Sequence, residues 1–136
     1  MDASGITAHQ HTTDRHTTAY LAAGSSADPV VLLVHGWPEH ARSWIRVMEP
    51  LAAAGFRVIA PDMRGYGGST VHPDPSDYRI EEAVADMIEL LDHVTDGAQR
   101  PAFVVGHDYG APVAWNLATH HPERLAGVAG VCVPHV

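Results

Sequence analysis

Ala102-Phe103-Val104-Val105-Gly106-His107-Asp108-Tyr109-Gly110-Ala111-Pro112-Val113-Ala114-Trp115 is the stretch that decides the fold. It opens as an apolar, β-branched run too short for a helix, turns through Gly106 and Gly110, and continues with Val113, Ala114, Leu117 and Ala118 at helical spacing, giving a short helix over about 111–120. Pro112 suits the first turn of that helix, where a missing N–H costs nothing. A buried strand that passes through a tight turn directly into a helix is half of a parallel crossover unit.

The same alternation extends in both directions. Val30-Val31-Leu32-Leu33-Val34, closed by His35-Gly36, is apolar on both faces and reads as a central parallel strand. Trp44, Val47, Met48 and Leu51 predict a helix over about 41–54, with Pro50 at a kink or near its end and Gly55 as the stop. Arg57-Val58-Ile59-Ala60 is a second buried strand, broken by Pro61, and Arg64 to Ser69 is a loop. Ile80, Ala83, Val84, Met87, Ile88 and Leu91 mark the clearest amphipathic helix. The last strand is expected from Gly127 to Val133. Near the start, residues 1–11 carry no period and read as a flexible lead-in, while Thr12 to Ala22 hold one or two strands before a turn at Gly24–Pro29. The expected architecture is α/β, a mostly parallel sheet with helices on both faces, built from residues 12–136 as part of a single core domain. Its ligand site lies at the carboxyl ends of the strands.

Composition narrows the function. A chain of 136 residues can bury one modest core. Eight Lys and Arg against sixteen Asp and Glu leave a net charge of −8, which argues against a nucleic-acid partner. No apolar run is long enough for a membrane span, and no basic-then-apolar leader is present. Cys132 stands alone in an apolar run and reads as a small buried hydrophobe, so a cytoplasmic compartment is the default. Eleven histidines raise the question of metal, but His9-x-His11 and His120-His121 lack a carboxylate or thiolate companion at ligand spacing, so no metal is expected. Gly65-x-Gly67-Gly68 lacks both the P-loop lysine and a dinucleotide fingerprint, so no cofactor is expected either.

Gly106-His107-Asp108-Tyr109-Gly110 has the layout of a G-x-S-x-G nucleophile elbow with Asp in the nucleophile slot. The pentapeptide alone equally allows Asp108 to be the cap of the following helix. Two further motifs stand at the ends of expected strands: His35-Gly36-Trp37-Pro38-Glu39 and Pro61-Asp62-Met63-Arg64-Gly65-Tyr66-Gly67-Gly68-Ser69. With these three motifs in this order, the sequence from about Thr12 to Val136 resembles the α/β-hydrolase family, and its H-G-W-P-E loop is similar to the epoxide-hydrolase type.

The resemblance implies that Asp108 is a nucleophile whose carboxylate, already ionised at pH 7, opens a small apolar epoxide to give an alkyl ester that water then hydrolyses. It implies that the backbone N–H groups of Trp37 and Tyr109 form the oxyanion hole, with Trp37, Pro38 and Tyr109 against the substrate. The halide alternative, a haloalkane or haloacid dehalogenase using the same Asp, is weakened because Trp37 and Tyr109 stand where those enzymes usually carry other residues. The family's general base, its acid partner and the cap that protonates the epoxide oxygen have no counterpart here. The chain is therefore expected to be the N-terminal portion of a hydrolase with negligible turnover by itself. Its last strand would be an exposed edge open to self-association or to a complementing chain.

Substitute bases are not expected: His107 points away from Asp108, His35 bonds to backbone, and His135 alone could swing inward. Arg64 is expected to brace its loop. Trp44, Trp115 and Tyr20 are expected to pack, and Tyr66 to be exposed. A reading from another class, a non-catalytic half-domain that binds a partner, stays open.

Overall fold

The computed structural model describes residues 5–97 and 100–135. The first four residues of the expected lead-in and the final residue of the expected core, Val136, lie outside them. Six strands form one sheet: β1 (Thr7–Thr12), β2 (Thr17–Ala23), β3 (Val30–Val34), β4 (Arg57–Pro61), β5 (Ala102–His107) and β6 (Leu125–Val131). Their order across the sheet is β1-β2-β4-β3-β5-β6. The β1–β2 and β2–β4 pairs are antiparallel, and the β4, β3, β5 and β6 strands run parallel. The helices are α1 (Ile45–Ala53), α2 (Ile80–Val94) and α3 (Gly110–His120). Among the described residues, no helix is long and apolar enough to cross a membrane.

The apolar run of β3 is buried along its whole length because the sheet is covered on both faces. Val30, Leu32 and Val34 belong to the core under α2 and α3, with Met87, Leu90, Val113 and Leu117. Val31 and Leu33 face the other way, into a core with Met48, Val58 and Ala60 beneath α1. This period-two division is why the strand shows no polar residue. The β3–β5 register pairs Val34 with Gly106, which brings the two chemically informative turns to the same end of adjacent strands.

Several boundaries differ from the sequence expectation. Residues 7–11, expected to be lead-in, form most of β1. This edge strand is polar, held by main-chain pairing to β2 and by the stack of His9 on Tyr20, so it has no apolar period to read. Strand β4 continues through Pro61, opposite Tyr20, since the fixed φ of proline suits extended backbone at a strand end. The helix expected over 41–54 begins as a 3-10 turn at Ala41–Trp44 and carries Pro50 inside α1. Strand β6 ends at Val131, two residues early, because Cys132 adopts φ +74 and breaks the extended chain. Cys132 is exposed rather than buried.

Candidate active site

The end of β5 turns into α3 at Asp108, whose φ of +52 lies in the left-handed region that L residues seldom occupy. Small neighbours make the turn possible. A Cβ on Gly106 would meet the Gly110 carbonyl, and a Cβ on Gly110 would meet the Val34 carbonyl, so α3 starts in direct backbone contact with β3 and β5. The Asp108 N–H donates to the Val131 carbonyl at 3.1 Å, and the Asp108 carbonyl accepts from Ala111 N–H at 3.0 Å. The turn is thus clamped from β6 and from the helix it begins.

The Asp108 carboxylate is not spent on capping α3. Its Oδ2 accepts the Trp37 N–H at 2.9 Å, across from the loop that follows β3. Hydrogen bonds from the Trp37 and Tyr109 main-chain amides hold the Asp108 carboxyl below the ordinary carboxylate range. The group is therefore ionised at neutral pH while remaining accessible. Trp37 is 69% and Tyr109 41% exposed, and Pro38 is exposed beside them; the Trp37–Pro38 peptide is cis. A carboxylate presented by a fixed turn can attack an electrophilic carbon, and the two N–H donors converging on it can stabilise an oxyanion formed at the same place.

The surrounding loops are locked by buried polar contacts. His35 is fully buried: its Nε2 accepts the Met63 N–H at 2.9 Å, so its proton sits on Nδ1, which donates to the Gly36 carbonyl at 2.9 Å. Burial pushes its pKa down, so His35 is a neutral strut between the two loops. Asp62 accepts the N–H groups of Ala41 at 2.7 Å and Gly68 at 2.9 Å. Arg64 braces its loop by donating Nε and Nη2 to Asp86 at 2.7 and 2.8 Å and Nη1 to the Asp77 carbonyl. Tyr66 is half-buried, edge-on to His35.

Of the remaining histidines near the site, His107 projects away from Asp108 and donates Nδ1–H to Glu39 at 3.2 Å. His135 lies edge-on against Trp115, whose indole N–H donates to the Val133 carbonyl at 3.0 Å. Trp115 and Trp44 are half-buried and Tyr20 is in the core. A groove of about 380 Å³ between α2 and α3, with Val84, Ile88 and Asn116 in its walls, shares no residue with the Asp108 turn.

Two residues of the neighbourhood escaped the sequence reading. Glu39 closes the loop after β3: its Oε2 accepts Gly36 N–H at 3.0 Å and the His107 proton. Its signal was a carboxylate three residues after a glycine, a spacing at which a side chain can fold back onto backbone. Asp86 is buried on the core stripe of α2, in line with Ala83 and Leu90, and a charge on such a stripe calls for a buried partner.

Residues 29–136 match the family described as alpha/beta hydrolase fold. The chain is 49% identical over 123 residues to epoxide hydrolase B of Mycobacterium tuberculosis, covering 88% of this chain and 34% of that protein. It is 39% identical over 135 residues to the AB hydrolase superfamily protein YfhM of Bacillus subtilis, covering 99% and 43%. Among solved structures, epoxide hydrolase A of Mycobacterium thermoresistibile superposes with a TM-score of 0.91 at 42% identity, over 96% of this chain and 40% of that one. The chain thus spans about a third of the length of the first of these curated relatives.

Proposed function

The chain belongs to the alpha/beta hydrolase fold family, and on that premise we propose that it carries the nucleophile-bearing part of an epoxide hydrolase, with Asp108 as the nucleophile. The observation that carries this reading is the Asp108 turn itself: an ionised, accessible carboxylate at φ +52 that receives the Trp37 N–H from the neighbouring strand end. The names of the relatives favour an epoxide over a halide as the electrophile.

In the first step an Asp108 carboxylate oxygen forms a bond to a ring carbon, the carbon–oxygen ring bond breaks, and the released alkoxide takes a proton. In the second, water adds to the ester carbonyl carbon and the negative charge grows on the oxygen that faces Trp37 and Tyr109 N–H. Each such donor is worth about 3–4 kcal/mol in a preorganised site. The ester then collapses to the diol and free Asp108. The two proton transfers are assigned to none of the described residues: His35 is committed to Met63 and Gly36, His107 to Glu39, and His135 packs on Trp115. Small apolar epoxides and water are the proposed reactants, with Trp37, Pro38 and Tyr109 as the exposed surface against them.

The test is intact and peptide mass spectrometry after incubation with styrene oxide. An ester mapped to Asp108 and missing from Asp108→Ala is expected. Absence of the ester from a folded chain counts against the nucleophile and leaves the non-catalytic binding reading in force. Chloroacetate and 1-chlorobutane, run in parallel with a halide electrode, address the dehalogenase alternative. The proposal includes pairing through β6, at one edge of the described sheet, with a second copy or a complementing chain. Size-exclusion chromatography showing only monomer, with no added chain, counts against the second copy.

A further inference from the structure

We infer that Glu39 and His107 are positioning residues that hold the loop after β3 in place against the Asp108 turn. The inference rests on the reading of Asp108 as nucleophile. A single atom makes the connection: Glu39 Oε2 receives the Gly36 N–H at 3.0 Å and the His107 Nδ1–H at 3.2 Å. Gly36 immediately precedes Trp37, and His107 immediately precedes Asp108. The clamp therefore acts one residue upstream of each partner in the Trp37 N–H to Asp108 Oδ2 bond.

The remaining contacts of the loop explain why a clamp is needed. Glu39 N–H donates to the Gly36 carbonyl at 2.9 Å, closing a tight turn that leaves Trp37 and Pro38 exposed at its tip. Gly36 touches the elbow so closely that a Cβ on it would collide with Asp108 Cβ. An exposed turn tip in backbone contact with a strained turn has little side-chain packing to fix it, and a bridging carboxylate supplies the missing constraint. Strand alternation puts His107 on the opposite face from Asp108, where it can reach Glu39 without entering the site.

Stabilisation alone is a weak account of this pair. The His107 and Glu39 side chains are 34% and 32% exposed, and a contact that open to water adds little to stability. Its value is geometric. The Gly36 N–H, and after it the His107 contact, keep the Glu39 carboxyl below its ordinary range, so the clamp stays charged through neutral pH.

The test is a pH titration of the Trp37 and Tyr109 amide signals in the ¹⁵N-labelled chain, since both amides face the Asp108 carboxylate. Glu39→Ala, which removes the bridging oxygen, is expected to move the Asp108 midpoint upward by about one pH unit as N–H donation loosens, and Glu39→Gln, whose amide oxygen still accepts both N–H groups, should keep most of the wild-type value. His107→Ala should shift it in the same direction, and His107→Gln, which can still donate to Glu39, should restore most of the wild-type value. Ester formation on Asp108 should slow at least about tenfold in Glu39→Ala. An unmoved midpoint in folded Glu39→Ala overturns the inference, even if that variant is less stable. If Glu39→Ala does not fold, His107→Ala decides in the same way. The titration needs no chemistry, so failure of wild type to form the ester would refute the nucleophile reading while the positioning role is still judged by the amides.

Discussion

Asp86→Ala should cost the chain about 3–5 kcal/mol of stability, because it strands a buried cation. The Asp86 side chain is 1% exposed and accepts Arg64 Nε at 2.7 Å, Arg64 Nη2 at 2.8 Å and Arg15 Nη1 at 3.2 Å. Arg15 contributes little to the loss, since it is 35% exposed and keeps Glu82 at 2.6 Å and Glu89 at 2.9 Å. Arg64 is the costly partner. At 5% exposure it would retain the Asp77 carbonyl and a distant Glu82 at 3.8 Å, leaving two of its donors without an acceptor inside the fold. Against a total stability of about 5–15 kcal/mol, that is a loss of about a fifth or more. Urea unfolding followed by far-UV circular dichroism measures it. Asp86→Asn, which keeps one acceptor oxygen, should cost less, and the double variant Arg64→Met/Asp86→Leu should recover most of the stability by removing both charges. A loss below about 1 kcal/mol in Asp86→Ala, or a double variant as unstable as the two single changes summed, would show that the pair is not what ties α2 to the loop.

Stability should also rise with pH below and up to about 6.5 through His16. Burial is the main cause holding its imidazole below the ordinary 6.5, with Arg64, His72 and Arg15 pushing the same way and Asp86 opposing. The unfolded chain therefore takes up the proton first as the pH falls. The His16 contribution is present above 6.5 and is lost as the pH drops through the folded value; His16→Gln should flatten that slope in part, leaving the shares of His35 and His11. Gly110→Ala should destabilise by about 1–3 kcal/mol and abolish ester formation, because the new methyl meets the Val34 carbonyl; thermal unfolding and the mass-spectrometric assay check both. Cys132 should react with a thiol reagent in the native chain, without denaturant, as its exposure requires.

The elements that carry apolar periodicity were readable from the residues alone. Strand β3 and helix α2 bury what their patterns say they bury, and the turn at Asp108 lies where strand grammar gives way to helix grammar. Strand β1 was not readable, because a polar edge strand is specified by its neighbour's backbone rather than by its own side chains. The surplus of histidines likewise found its explanation only in three dimensions. His11 stacks on His93 at 4.1 Å, and His16 Nδ1 meets His72 Nε2 at 2.9 Å, pairings between residues more than fifty positions apart. Local spacing along the chain has no access to such pairs. Glu39 is the intermediate case: its bond to Gly36 is local, while its bond to His107 depends on the packing of β3 beside β5.

That packing has a consequence for how the site fails and how it varies. Val34 lies opposite Gly106, and Trp37 and Asp108 follow at three and two residues beyond them. Donor and carboxylate therefore start from the separation of hydrogen-bonded strands, about 4.8 Å, and the Glu39 contacts to Gly36 and His107 fix the approach beyond the strand ends. A slip of one residue between β3 and β5 would carry Asp108 about 3.3 Å along the strand and turn its side chain to the other face. The strand register is consequently all or none, while the loop contacts beyond it vary by degrees. On the proposed function, substitutions at the exposed rim, at Trp37, Pro38 or Tyr109, would alter which molecules fit while the strand register stays constant, so selectivity and reactivity are free to diverge in separate steps.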